Sequence, residues 1–178
     1  MAGSAHLAHI VQWLERHQPE VLERLVCCYL PGCQIGARSF SSLRPAANPS
    51  DHGLVYLSWC TVGKGVTRTM ATGRHRPGYA DGTITMQEGD VPISVAPTGA
   101  TGAVMWGDKV GLYPAAYTTI GSNEEGLLEV QISPACQGIC KGLATQGDYH
   151  TLDIVLFWND IRQDVARRAA AYLAAKAR

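Results

Sequence analysis

The chain has 178 residues, 46% of them hydrophobic, and its fifteen basic side chains balance fifteen acidic ones. That length suits one domain with a real core, and the cancelled charge excludes whole-protein attraction to nucleic acid or an anionic membrane. No stretch approaches the roughly 18 apolar residues of a bilayer span, and the opening segment lacks the basic lead of a secretory signal, so a soluble protein made in a cytoplasm is expected.

From Ser4, a candidate N-cap, Leu7, Ile10, Val11 and Leu14 recur at helical spacing. Pro19 fits the first position of a second helix, whose face would carry Val21, Leu22, Leu25, Val26 and Tyr29 as far as Pro31-Gly32. Residues 4–30 thus read as two short helices or one kinked one. Residues 31–52, with Pro45, Asn48, Pro49 and several serines, show no period and read as a connecting loop that wraps along a neighbour. The run Leu54–Cys60 is rich in strand formers. After the Asp81-Gly82 turn, Thr83, Thr85 and Gln87 alternate with Ile84, Met86 and Glu88 as a half-buried strand. Residues 89–126 are rich in Gly, Pro and Thr, with short irregular strands expected around Ile93–Val95, Val104–Trp106 and Tyr117–Ile120. Leu128, Val130 and Ile132 form one face of a further strand, and Leu152, Ile154, Leu156 and Trp158 alternate as the face of a last one. Asn159 would cap a closing helix with a narrow apolar stripe of Ile161, Val165, Ala169, Tyr172 and Leu173. The pattern predicts a mainly β domain over 31–158, between an N-terminal helical segment over 1–30 and a C-terminal helix over 159–178.

Motifs for chemistry are sparse. Gly63-Lys64-Gly65-Val66-Thr67 lacks the spacing and the helix of a phosphate loop, so a Gly-rich turn is the better reading. His6 and His9, with His17 further along, find no further ligands in a known pattern, and the cysteines have no zinc-knuckle spacing. No metal or cofactor is expected. There is no G-x-S-x-G and no Cys in a strand-to-helix elbow; a thiol site drawing on His75 and His150 is the one imaginable catalytic arrangement, and no catalytic residue is assigned. Cys27, Cys28, Cys33, Cys60, Cys136 and Cys140 are read as buried thiols in a reducing compartment, or as bridges, some between subunits, once outside it. The basic cluster Arg68, Arg74, His75 and Arg76 leaves three readings open. It is a solvated loop, a contact loop pairing with acids such as Glu124 and Glu125 of an adjacent subunit, or a nucleic-acid groove for which Tyr79 is the lone aromatic.

The stretch T-R-T-M-A-T-G-R-H-R-P-G-Y-A-D-G-T-I-T-M, a basic loop leading into an alternating strand, resembles the loop-plus-strand segment of tail tube proteins from contractile-tailed bacteriophages. Gly73, Arg74, Gly78, Tyr79, Gly82, Ile84 and Met86 stand at the corresponding places. Leu128 to Ile132, Gly138 to Lys141, Gln146-Gly147-Asp148 and Leu152 to Phe157 are similar to the last two strands of that family. The resemblance implies a β-sandwich or half-barrel that closes with its own copies into hexameric, stacked rings inside a sheath protein, in a virion tail assembled in the host cytoplasm. Viral DNA would pass the channel without specific binding. Arg68, Gly73, Arg74, Arg76, Gly78, Tyr79, Gly82, Ile84 and Met86 would then lie at subunit contacts, since a basic lumen would grip phosphates. A tail completion, neck or baseplate protein of the same kind, or a monomeric β-rich binding module, is the alternative.

Overall fold

The computed structural model describes residues 2–32, 35, 36, 38–66, 103, 104, 112, 113, 116–122, 127–132 and 147–178. Helix α1 spans Ala2–His17 and turns Ala8 and Val11 inward. Ser4 lies inside its first turn instead of capping it, and its hydroxyl donates to the Pro31 carbonyl at 2.6 Å, tying the helix to the strand beneath. Pro19 opens a separate helix α2, Pro19–Leu22, so the two-helix reading holds, but α2 is a single turn. The expected continuation through Tyr29 does not occur. One turn is too short to sustain a helix by itself, and Cys28–Pro31 extends instead as strand β1, pairing in parallel with a buried partner.

That partner is β3, Val55–Trp59, with β1 on one side and the two-residue β2, Arg44–Pro45, on the other, all parallel. Pro45, which has no N–H to give, sits on this short edge strand. Every residue of β3 is buried, as a parallel strand covered on both faces must be. On one face Tyr56 joins Ala8, Val11, Leu22, Leu30, Ile35, Phe40 and Leu43, so Ile35, Phe40 and Leu43 of the 31–52 loop pack into the cluster that α1 covers. On the other face Val55, Leu57 and Trp59 meet Leu128, Val130, Ile132, Leu152, Leu156 and Phe157.

After Cys60 the chain runs on as β4, Thr61–Gly63, and changes partners. It pairs in parallel with β8, Leu128–Ile132, which shows the expected inward Leu128, Val130 and Ile132. β8 is antiparallel to β7, Ala116–Ser122, across two register shifts, and a small antiparallel pair joins β5, Ala103–Val104, to β6, Leu112–Tyr113.

The expected last strand is a correction. His150–Leu152 forms a 3₁₀ turn, Asp153–Leu156 is helix α3, and after a break at Phe157 helix α4 runs Trp158–Lys176. The alternation Leu152, Ile154, Leu156, Trp158 fits a strand, but the buried set Asp153, Leu156, Phe157, Asp160, Asp164 and Arg168 repeats at three and four residues, the helical period. Short apolar runs satisfy both templates. Asn159 lies inside the first turn of α4, so it is no cap. The described residues therefore form a mixed α/β arrangement: small, partly parallel sheets with α1 on one side and α3 and α4 on the other.

Candidate functional site

Two polar centres lie within this frame. The first sits where β3 passes into β4. Asp153, in the first turn of α3, takes the Thr61 N–H on Oδ1 at 3.0 Å and is itself buried. Burial pushes its carboxyl well above the usual carboxylate range, against the pull of the Thr61 side chain and N–H and the Gly32 N–H; the nearby Asp148 carboxylate adds to the rise. Segment 147–149 covers the other edge of β4: Gly63 N–H donates to Gly147 O at 2.7 Å and Tyr149 N–H to Thr61 O at 3.0 Å. β4 is thus paired on both sides within one chain. Gly147 has φ of +81°, and a Cβ there would stand 2.7 Å from Val66 Cγ2, so only glycine fits. His150 Nδ1 contacts Asp148 Oδ1, and the backbone N–H of His150 donates to the same oxygen at 3.1 Å. This is a carboxylate–imidazole pair with both side chains about nine-tenths buried, which braces the entry to α3.

The second centre is the inner face of α4. Its buried residues are Asp160, Asp164 and Arg168, all polar. Asp164, 1% exposed, accepts from the Tyr29 hydroxyl at 2.7 Å, Arg168 Nε at 2.6 Å and Arg167 Nη2 at 2.9 Å. Arg168, 3% exposed, also donates through Nη1 to the carbonyls of Asn48, at 3.2 Å, and Asp51. Those carbonyls are held in place by Asp51 itself, whose Oδ2 takes the N–H groups of Ala47 and Asn48 at 2.8 and 3.0 Å and Arg44 Nη1 at 3.1 Å. These donors, the Ala47 N–H foremost, hold the Asp51 carboxyl well below the usual range. Burial, then the bond to Asp164, raises the Tyr29 phenol.

The outer face of α4 carries large apolar side chains beside its exposed cations. Val165 is 46% exposed, Leu173 67% and Trp158 46%, with Ile154 of α3 also outward. The expected stripe is split: Ile161 packs against the core cluster and Ala169 and Tyr172 are half-buried, while Val165 and Leu173 point outward. An ordinary surface helix has the reverse polarity. A second exposed apolar set lies on α1, where Leu7, Ile10 and Trp13 recur every three residues, with His17 stacked on Trp13 and Val21 of α2 beyond.

Of the residues expected at subunit contacts, Arg68, Gly73, Arg74, Arg76, Gly78, Tyr79, Gly82, Ile84 and Met86 lie outside the described residues, as do His75, Cys33, Cys136 and Cys140. Cys27, Cys28 and Cys60 are thiols and not bridged. Cys28 and Cys60 are buried and so cannot reach another subunit, while Cys27 is half-buried. Burial pushes the Cys27 thiol up to about 12 and Cys28 to about 11, which leaves both protonated and poorly nucleophilic. Among the described residues no three His, Cys, Asp or Glu side chains gather as metal ligands, and no helix is long and apolar enough to cross a membrane. Apolar-stripe reasoning missed the Tyr29–Asp164–Arg168 centre. The i, i+4, i+8 spacing of Asp160, Asp164 and Arg168 was the available signal. No protein-family model, characterised protein or solved structure gives a significant match to this chain.

Proposed function

We propose that this chain is a structural subunit that works only when assembled, and that the assembly is a stacked-ring tube of the contractile phage tail kind. The observation that carries the assembly reading is the polarity of α4, with Asp160, Asp164 and Arg168 inside and Trp158, Val165 and Leu173 outside. Exposed apolar area on this scale marks an interaction surface. The tube reading draws its support from the basic loop and alternating residues of Val66–Glu88, and from the strand Leu128–Ile132. It draws none from Leu152–Phe157, which is helical and turning. In this reading a β-sandwich or half-barrel closes with its copies into hexameric rings, a sheath protein surrounds them, and DNA passes a polar lumen.

Light scattering on the eluting protein, with negative-stain electron microscopy, tests both levels. Rings or hollow tubes are expected. A compact oligomer without a channel would remove the tube and leave the assembly; a monomer at every concentration would remove both.

A further inference from the structure

We infer that the outward face of α4 is covered by the outward face of α1 and α2 on a second copy of this chain, in a head-to-tail contact that repeats. This rests on the assembly reading and names the surfaces that make it. Among the described residues, the exposed large apolar side chains fall only on α1–α2 and on α3–α4. Each set is the other's one apolar complement on that surface. The charges agree locally. From 158 to 178 both acidic side chains, Asp160 and Asp164, are buried, so the exposed charged side chains are all cations, among them Arg162 and Lys176. Beside Val21 stand the exposed carboxylates of Glu20 and Glu23. Arg16 and Arg24 flank this set, which confines the match to those two glutamates.

The area is also sufficient. Eight large side chains, most of them about half exposed, present on the order of 800 Å² when the two faces meet. Apolar atoms make up somewhat over half of an ordinary interface, so the whole contact reaches roughly 1,400 Å², within the range of stable, specific interfaces. The two faces are unlike and each copy carries both. The contact therefore propagates, closing a ring if the rotation allows.

The test uses the full chain in three forms: wild type, Val165→Glu on α4 and Ile10→Glu on α1. Both positions are about half exposed, and unchanged helical circular dichroism confirms that each variant folds. Wild type is expected above the dimer, each variant alone as a monomer, and an equimolar mixture as a dimer that grows no further, because one intact pair of faces remains. Arg162→Glu, a polar change that leaves the apolar faces whole, is expected to raise the assembly concentration about tenfold. Variants that assemble like wild type, or a mixture that stays monomeric, overturn the inference while leaving the assembly reading in place. A wild type that stops at the dimer overturns the head-to-tail contact, and a monomeric wild type overturns the assembly reading itself.

Discussion

Arg168→Met is the most informative single perturbation of the folded chain. Arg168 and Asp164 are both almost fully buried, and the guanidinium serves Asp164 Oδ2 and two backbone carbonyls in the 48–51 turn. Methionine fills much of the same space, so the cavity contribution is small. What remains is a carboxylate in a dry site, with only Tyr29 and Arg167 as donors, and two carbonyls that lose theirs. Breaking one partner of such a pair costs about 3–5 kcal/mol. At a urea m-value of about 2 kcal/mol/M, the midpoint falls by roughly 1.5–2.5 M. Equilibrium denaturation followed by far-ultraviolet circular dichroism reads this directly. The double variant Asp164→Leu with Arg168→Met removes the charge left behind, and its cost is expected to be under half that of Arg168→Met alone. A single variant within about 1 kcal/mol of wild type would refute the claim that this ion pair is buried and fully used.

Gly147→Ala forces a left-handed φ on a side chain and drives Cβ against Val66, so a loss of about 1–3 kcal/mol in chemical denaturation is expected. Adding Val66→Ala should recover the steric part only. Asp153 has a raised folded-state value, so its contribution is fully present below the unfolded carboxylate value and is lost as pH rises through the folded one. Asp153→Asn should therefore gain on wild type between pH 4.5 and pH 8, and a difference in stability that does not move with pH would refute it. Cys27 and Cys28, with thiols raised to about 12 and about 11, should resist a thiol reagent at pH 8 in the folded protein and react at once in denaturant.

The sequence exposed the two ends of this fold unequally. Strand β3 was legible because Leu54–Cys60 is an unbroken run of strand formers, and a strand buried on both faces needs just that. β8 was legible from its alternation, since its inner residues are all apolar. Tyr29 was misplaced because helix α2 ends after one turn, and the residue that decides this, the parallel partner Leu57, is 28 positions away. Leu152–Trp158 was misplaced because its inward set is Leu152, Asp153, Leu156 and Phe157, and Asp153 is a carboxylate no apolar template counts. The same blindness hid the buried polar residues of α4. Its inner face is written in Asp160, Asp164 and Arg168, and the partners that Asp164 and Arg168 find on β1 and the 48–51 turn are visible only once the chain has folded.

The reversed helix also explains why a buried ion pair stands where leucines would suffice for stability. A leucine-faced α4 could roll on the sheet, because apolar contact is non-directional, and in rolling would draw Val165 and Leu173 inward toward the core. The ion pair forbids this. Rolling α4 by one residue's turn strips Asp164 of Tyr29 and Arg168 of the 48–51 carbonyls at several kcal/mol. The charges thus fix which side of α4 faces out, and the side they fix is the one argued to meet the next subunit. The double variant Asp164→Leu with Arg168→Met then separates two quantities that usually move together. It should keep most of its denaturation midpoint, yet assemble only at higher concentration, because the outward face is no longer held. Light scattering over a dilution series measures the second property independently of the first, and an assembly midpoint equal to that of wild type would show that the ion pair serves folding alone.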